Sequence, residues 1–273
     1  MKKNNRILIR GGGDLASGVA ARLHRSGFVV LVTELAHPLV VRRMVSFAEA
    51  VFSRVVEVEE ISGRLAENQG DVEPILQQGE VAVLVDPDLV ALAAFDPLVV
   101  VDGRMRKRPP EAGMELAPLV IGLGPGFTAG EDCHAVIETM RGHTLGRVIW
   151  EGQAIPDTKL PEAVDGKRGE RVLRAPANGI LTAHRQIGDL IREGELIASV
   201  AEKELLAPFD GALRGLMREG IEVQEGMKIG DLDPRSDPKY AFMVSDKALA
   251  IGGGVLEAIL SQDAIRSRIY AAD

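Results

Sequence analysis

The amino-terminal part of the chain contains the string Gly11-x-Gly13-x-x-Ala16, a glycine pattern that can bring a backbone close to phosphate groups. It follows an apolar run at residues 7–9 and precedes an amphipathic stretch at residues 15–26. A second apolar run occupies residues 29–32. This order predicts a strand, a glycine turn, a helix and a second strand, which together form a βαβ unit with a ligand-accessible helix start.

Two acidic residues make three interpretations of this turn possible. Glu34 lies 21 residues after Gly13, where a carboxylate could accept a hydrogen bond from a ribose hydroxyl. Asp14 stands at the predicted helix start, where it would cap free N–H groups and repel a pyrophosphate. The turn could therefore bind an NAD-type dinucleotide, or serve folding alone with Asp14 as the cap. In the third interpretation, Asp14 and Ser17 hold a magnesium nucleotide or a pterin-type ligand.

Two further glycine segments predict more of the same site. Gly122-Leu123-Gly124-Pro125-Gly126 ends an apolar run at residues 119–121, and residues 252–254 precede a predicted helix at residues 255–260. Ligands of open α/β sheets settle at the carboxyl ends of the strands, so we expect the three turns to border one cleft. The predicted ligand-binding residues are Gly11, Gly12, Gly13, Asp14, Ser17, Glu34, Gly122, Gly124, Gly126, Thr128, Arg141 and Gly253.

His134, Glu138, Arg141 and His143 cluster in sequence and could supply acid–base or anion-binding groups. If the segment is a strand, His134 and Glu138 share a face while the other two fall outside that alternation. We therefore predict no metal site, and the sequence identifies no catalytic residue. Arg141 could supply the anion contact that Asp14 discourages.

Composition limits the class of protein. The chain has 273 residues, 46% of them hydrophobic, which is enough for two domains with separate cores. A net charge of −8 argues against a nucleic-acid partner. The basic string of Arg104, Arg106, Lys107 and Arg108 is either a solvated loop or a ligand gate. The chain has a single cysteine, Cys133, which excludes an intramolecular disulfide. The lack of a long apolar run predicts a cytoplasmic protein with no membrane partner.

Secondary-structure patterns continue along the first half of the chain. The sequence predicts helices at residues 41–52 and 89–95, strands at residues 81–85 and 98–101, and a strand pair at residues 134–139 and 147–150. The alternation of strands and helices predicts a mainly parallel sheet covered on both faces.

An internal repeat follows in the second half. From Pro176 and again from Pro208, glycines and a final apolar residue recur at spacings of 3, 9, 6 and 6, with an offset of 32 residues. Each copy is too small to bury its own apolar face, so we expect the two to interlock around one core. The rhythm resembles the barrel-sandwich hybrid of biotinyl and lipoyl carrier domains. Lys203 takes the place of the modified lysine in those carriers, but without their signal sequences we predict that it is unmodified.

The predicted fold class is therefore α/β, with a Rossmann-like, mainly parallel sheet domain and a small all-β barrel-sandwich hybrid domain. The predicted boundaries are residues 1–154 for the first domain, 155–171 for a linker, 172–235 for the second domain, and 236–273 for a tail that packs on the first.

Several strings together make the chain resemble the YqeB-type proteins of selenium-dependent molybdenum hydroxylase systems, distantly similar to the XdhC accessory factors. These strings lie at residues 10–18, 34, 42–51, 121–127, 136–143, 230–235 and 245–257. The sequence departs from the expected pattern at residues 101–107, which are more basic, and at residues 156–161. The resemblance implies an accessory or maturation factor whose partner is a molybdenum hydroxylase or one of its maturation proteins.

The sequence is compatible with three classes of function. The first is an accessory protein that binds a nucleotide, NAD(P) or a molybdopterin-type cofactor in the glycine-rich cleft. The second is an NAD(P)-binding oxidoreductase, which the Gly11 motif and Glu34 favour. The third is a carrier protein, which would require modification of Lys203. Homo-oligomerisation is left open.

Overall fold

A computed structural model describes residues 5–106, 108–111, 113–158, 164–167 and 169–271. The chain divides into two compact units. Unit 1 contains Met1–Pro38, Phe47–Asp157 and Val244–Asp273, and unit 2 contains Leu39–Ser46 and Thr158–Met243. Part of the linker predicted at residues 155–171 lies outside the described residues.

Unit 1 is built on a nine-stranded sheet. Its strands are β1 (Arg6–Arg10), β2 (Val29–Glu34), β3 (Val55–Val58), β4 (Ile61–Ala66), β5 (Val81–Val85), β6 (Val99–Asp102), β7 (Leu119–Leu123), β9 (Ala135–Ile137) and β10 (Val148–Ile149), with β8 (Thr128–Ala129) and β11 (Gly152–Gln153) forming a separate pair. The order across the sheet is β10-β9-β7-β6-β1-β2-β5-β4-β3. β1 therefore lies at the centre, with β2 and β6 on its two sides.

The helices of unit 1 are α1 (Asp14–Arg25), α2 (Ala50–Ser53), α3 (Gln69–Gln77), α4 (Leu92–Phe95), α5 (Asp246–Ser261) and α6 (Asp263–Tyr270). Within the described ranges no single helix is long and apolar enough to cross a membrane, and only a pair of segments bent by 86° passes that test on length and composition.

The βαβ unit predicted at the amino terminus is confirmed. β1 and β2 pair in parallel, and α1 connects them. The side chains of Ile7, Leu8 and Ile9 are fully buried, because a central parallel strand is covered on both faces. α1 buries an apolar stripe that includes Val19 and Leu23.

The predicted Rossmann-like sheet is wrong, because the sheet is mixed. Six of its pairings are parallel, but β3 runs antiparallel to β4 and β10 runs antiparallel to β9, so both edges are reversed. Glu59 and Glu60 explain one reversal, since their φ angles of 44° and 70° make the tight turn that joins β3 to β4. The strand pair predicted at residues 134–139 and 147–150 is confirmed as β9 and β10.

The helix predicted at residues 41–52 is also wrong over most of its length. Two short 3₁₀ turns, Arg43–Val45 and Phe47–Glu49, occupy the segment before α2 begins. Within unit 2, the Arg42 guanidinium donates to the carbonyl oxygens of Tyr240 and Met243 at 2.9 and 2.8 Å. Tertiary contacts of this kind override the local helical pattern.

The third glycine turn, predicted at residues 252–254, does not exist, because all three residues lie inside α5. A Cβ at Gly252 would lie 3.0 Å from Arg22 Cβ and 3.1 Å from the Gly18 carbonyl oxygen on α1. A Cβ at Gly254 would lie 2.0 Å from the Gly146 carbonyl oxygen. These glycines permit close packing of α5, whereas a Cβ at Gly253 would meet nothing within 4 Å.

Unit 2 consists of two antiparallel sheets of four strands each. The strands are β12 (Val172–Arg174), β13 (Gly179–Ala183), β14 (Leu190–Ile191), β15 (Leu196–Val200), β16 (Lys203–Leu206), β17 (Gly211–Leu216), β18 (Glu222–Val223) and β19 (Lys228–Asp233). The sheet orders are β12-β19-β17-β14 and β16-β15-β13-β18. The first repeat copy supplies β12 to β15, and the second supplies β16 to β19. In each sheet the two central strands therefore come from one copy and the two edge strands come from the other.

The predicted barrel-sandwich hybrid is wrong, although the predicted interlocking of the copies is visible in this pairing. The described strands form two separate sheets that share no hydrogen-bonded strand pair, so they do not close a barrel. Lys203 begins β16 and pairs with Val200 across a tight hairpin, with an exposed side chain. Its lack of modification stays a prediction.

A buried ionic network lies on the last strand of unit 2. Asp231 Oδ1 is 3.2 Å from Arg171 Nη1, and Asp231 Oδ2 is 3.4 Å from Arg214 Nη1. The neighbouring Asp233 pairs with Arg235 at 2.5 Å. Burial raises the pKa of Asp233, but hydrogen bonds from Arg235 outweigh it and hold the pKa below its ordinary value. The string at residues 230–235 is therefore part of the framework of unit 2.

Gly254→Ala should destabilise unit 1, because the new methyl group must displace backbone atoms of Gly146. We expect the free energy of unfolding to fall by about 1–3 kcal/mol. Gly253→Ala is the matched control, since it adds a methyl group to the same helix in open space. This control should gain up to about 1 kcal/mol from helix propensity. Urea denaturation measures both changes, and equal stabilities of the two variants would contradict the packing described for α5.

Asp231→Asn should destabilise unit 2, because it leaves two nearly buried guanidinium groups without their shared carboxylate. The expected loss is about 3 kcal/mol in the free energy of unfolding. Glu204→Gln removes an exposed carboxylate of the same unit and should stay within about 0.5 kcal/mol of the parent. Chemical denaturation followed by circular dichroism makes the comparison, and a neutral Asp231→Asn would show that the network does not hold this unit.

Candidate functional site

The Gly11–Gly13 turn follows β1 at the carboxyl edge of the sheet. Gly11 has a φ angle of +86°, and its N–H donates to the Thr33 carbonyl oxygen at 2.8 Å. A Cβ at Gly12 would lie 2.8 Å from Ala48 N and 3.0 Å from Val32 Cγ1. Both positions therefore require glycine, one for its backbone angle and the other for space.

Ser17 connects this turn to the segment that follows β2 along the chain. Its hydroxyl donates to the Gly12 carbonyl oxygen at 2.9 Å and accepts from the Phe47 N–H at 2.8 Å. The Ala48 N–H donates to the same Gly12 carbonyl oxygen at 3.0 Å. Ser17 is thus a buried structural link, and its hydroxyl is already used as both donor and acceptor.

Glu34 ends β2 and is buried beside the turn. One of its carboxylate oxygens accepts from the Gly12 N–H, and the other accepts from the Leu35 N–H, each at 2.7 Å. Burial raises the pKa of Glu34, and the two backbone hydrogen bonds partly oppose that rise. The carboxylate therefore holds the turn in place.

The start of α1 is the open part of the site. Gly13 is the N-cap residue with no side-chain capping bond, and a Cβ placed on it would meet nothing within 4 Å. The N–H groups in the first turn of a helix have no partner within the helix and attract anions. Asp14 is the first helical residue and brings a negative charge to the same place.

A basic loop after β6 lies beside this turn. The Arg104 guanidinium donates to Asp102 at 2.6 and 3.0 Å, and a Cβ on Gly11 would lie 3.3 Å from Arg104 Cα. Arg106 pairs with Glu111, which lowers the pKa of that carboxyl well below its ordinary range. Buried Arg10 pairs with Asp102 at 3.4 Å. Arg10 on β1 and the loop residues Arg104 and Arg106 thus pair with the carboxylates of Asp102 and Glu111 beside the turn.

Sequence reasoning missed Asp102 and Asp86. Asp102 ends β6 and Asp86 follows β5, so both lie at the carboxyl edge of the sheet. The carboxylate of Asp86 accepts from the N–H groups of Val90 and Ala91 at 2.8 and 2.9 Å. The signal that could have found both is a charged residue directly after an apolar run. Of the predicted basic string, Lys107 lies outside the described residues.

The second glycine turn lies after β7 at the same edge of the sheet. Gly124 has a φ angle of +73°, and a Cβ there would lie 2.4 Å from Thr139 Oγ1. Gly126 has a φ angle of +108°, and a Cβ on Gly122 would meet the ring of Phe127. The Thr128 hydroxyl accepts from Gln153 Nε2 at 2.9 Å. The three glycines therefore have roles in the turn itself, whereas Thr128 belongs to the β8–β11 pair.

The remaining predicted residues do not join this turn. Arg141 pairs with Asp246 at 2.5 and 2.7 Å, and Gly253 lies on α5. The carboxylate of buried Glu138 accepts from the N–H groups of Met140 and Ile155 at 2.7 and 2.8 Å. Within the described ranges, no group of three histidine, cysteine, aspartate or glutamate side chains could hold a metal ion.

Cys133 should be unreactive in the folded protein. Its side chain is fully buried, and burial raises the pKa of the thiol to about 12. Because the thiolate is the nucleophile, iodoacetamide at pH 8 should leave the native chain unmodified and add one group in denaturant. Mass spectrometry gives both readings. Rapid labelling of the native chain would contradict this assignment of Cys133 to the core.

Two solved structures align with most of the chain at low identity. The chain aligns with an aspartoacylase family protein from Mesorhizobium loti MAFF303099 at 12% identity, over 83% of this chain and 84% of that one, with a TM-score of 0.28. It aligns with a succinylglutamate desuccinylase from Silicibacter sp. TM1040 at 13% identity, over 84% of each chain, with a TM-score of 0.24. Because both TM-scores are low, these alignments add nothing to the fold that the strand pairing describes.

No protein-family model matches the chain. Among curated proteins, it is 47% identical over 254 residues to the uncharacterized protein YqeB of Escherichia coli strain K12. The alignment covers 93% of this chain and 47% of YqeB, so the chain spans about half the length of that relative. Nearly the whole of this chain is therefore similar to about half of YqeB.

Proposed function

We propose that the chain is a cytoplasmic accessory factor in the maturation of a selenium-dependent molybdenum hydroxylase, and that it binds an anionic nucleotide or molybdopterin-type ligand at the Gly11–Gly13 turn. The maturation role follows from the resemblance of its sequence strings to YqeB-type proteins, and the similarity to YqeB supports that grouping. The binding role follows from the geometry of unit 1.

The open approach to Gly13 is the observation that carries the binding proposal. Gly13 begins α1 at the carboxyl end of the central strand, and nothing lies within 4 Å of the position its Cβ would take. The strands β2 to β5 lie on one side of β1, and β6, β7, β9 and β10 lie on the other, so the strand order reverses at β1. Such a reversal in strand order opens a crevice in which α/β proteins bind ligands.

Charge favours an anionic ligand at this turn. Arg10 at the end of β1 and Arg104 and Arg106 in the adjoining loop bring three guanidinium groups to this place, where they pair with Asp102 and Glu111. Arg104 lies directly against Gly11 through its backbone and Cγ, and its guanidinium, which pairs with Asp102, adds a positive charge beside the turn that favours a phosphate. Asp14 reduces the attraction, which favours a ligand that also offers hydroxyl or amino donors.

The alternative, an NAD(P)-dependent oxidoreductase, is less favoured. In that function Glu34 would accept a hydrogen bond from a ribose hydroxyl. Both of its carboxylate oxygens already accept backbone N–H groups at 2.7 Å, and the residue is buried.

Calorimetric titration with nucleotides, NAD(P) and molybdopterin nucleotides tests the proposal. Gly13→Val should weaken binding of the preferred ligand at least about tenfold, because its side chain fills the approach to the amides. The variant should fold, since Gly13 has a φ angle of −67° and open space around it. Gly12→Ala is a poorer probe, because its methyl group would collide with Ala48 N.

Gly253→Ala serves as the control and should bind like the parent, because Gly253 lies on α5 with nothing near its Cβ position. Binding of a molybdopterin nucleotide that Gly13→Val abolishes would support an accessory role. Binding of NAD(P) alone would favour the oxidoreductase. Equal affinities of Gly13→Val and the parent would overturn the assignment of the ligand to this turn.

A further inference from the structure

A cavity of unit 1 lies at the edge of the nine-stranded sheet opposite to the Gly11–Gly13 turn. Pro118 and Leu119 mark the start of β7, and His134 directly precedes β9, so these residues lie at the amino ends of the two parallel strands. Trp150 directly follows β10, which runs antiparallel to β9 and brings it to the same edge. The cavity has a volume of about 260 Å³ and is lined by Pro118, Leu119, His134, Trp150, Gln262, Ala264, Ile265 and Arg268.

The lining combines an aromatic face with a few polar groups. Trp150 is 40% exposed and lines the cavity, so its ring offers a surface for stacking. Arg268, on α6, makes no ion pair with any residue that the structure describes. Gln262, in the break between α5 and α6, adds an amide that can both donate and accept. Four apolar side chains form the rest of the wall.

His134 supplies a donor of defined position. Its Nδ1 accepts from the Val120 N–H at 2.9 Å, so the neutral ring carries its proton on Nε2. Burial lowers the pKa of this ring, which keeps it neutral near pH 7. The Nε2–H group is therefore left to donate a hydrogen bond on the side of the ring away from Val120.

Size and charge narrow the class of ligand. At about 260 Å³ the cavity is below the range of roughly 300–1,000 Å³ that is usual for drug-sized ligands, so it suits a single ring better than a nucleotide. One planar guanidinium matches a carboxylate through two parallel hydrogen bonds, whereas a phosphate would bring more charge than the wall balances. We propose that this cavity is a binding site for a small planar ring carboxylate, stacked on Trp150 and paired with Arg268.

Trp150 is the single tryptophan of the chain, so its fluorescence reports on this cavity. Titration with benzoate should change the emission excited at 295 nm in a saturable way, with a Kd on the order of 1 mM for so small a ligand. Benzamide, which keeps the ring and lacks the charge, and cyclohexanecarboxylate, which keeps the charge and lacks the flat ring, should each bind at least about tenfold more weakly.

Arg268→Gln should weaken benzoate binding at least about tenfold, while Arg266→Gln, a change on the same helix outside the cavity wall, should leave it unchanged. Circular dichroism checks that both variants are folded. Trp150→Phe, studied by ligand-observed NMR, separates binding in the cavity from quenching elsewhere and should retain weaker binding. A non-saturable response, equal affinities for the three probes, or equal affinities of the two arginine variants would overturn the proposal.

Discussion

The backbone of Gly12 is the point on which the arrangement of unit 1 depends. Its N–H donates to Glu34 at the end of β2, and its carbonyl oxygen accepts from Ser17 on α1 and from Ala48. One residue thus fixes the central strand, the first helix and the segment after β2. A side chain at this position would collide with Ala48 N, so the arrangement exists only because the residue is glycine.

This constraint leaves Gly13 as the accessible part of the turn. Gly12 faces the interior and Gly13 faces open space, although both belong to one short motif. The two candidate sites of unit 1 then follow from the direction of the strands. The Gly11–Gly13 turn, the proposed anion-binding site, lies where β1 ends. The cavity proposed for a ring carboxylate lies where β7 and β9 begin, at the opposite edge of the sheet.

Local patterns predicted the parts of the structure that depend on local chemistry. The glycine turn after β1, the helix that follows and the β9–β10 pair all come from short periodic segments with a turn between them. Gly252 and Gly254 were misread as part of a turn because glycine is unfavourable inside a helix, whereas here it permits close packing. The roles of Glu34 and Ser17 depend on partners far along the chain, and no local pattern could show that their polar atoms are already occupied.

The exchange of strands between the two repeat copies of unit 2 has a consequence for biosynthesis. Each sheet needs its central pair from one copy and both edges from the other, so four of the five strand pairs that involve the first copy must wait for the second copy to be synthesised. At a synthesis rate of about 5–20 residues per second, these four pairs stay incomplete for seconds until β19 has been made. That interval is the time in which a chaperone could shield this segment from aggregation.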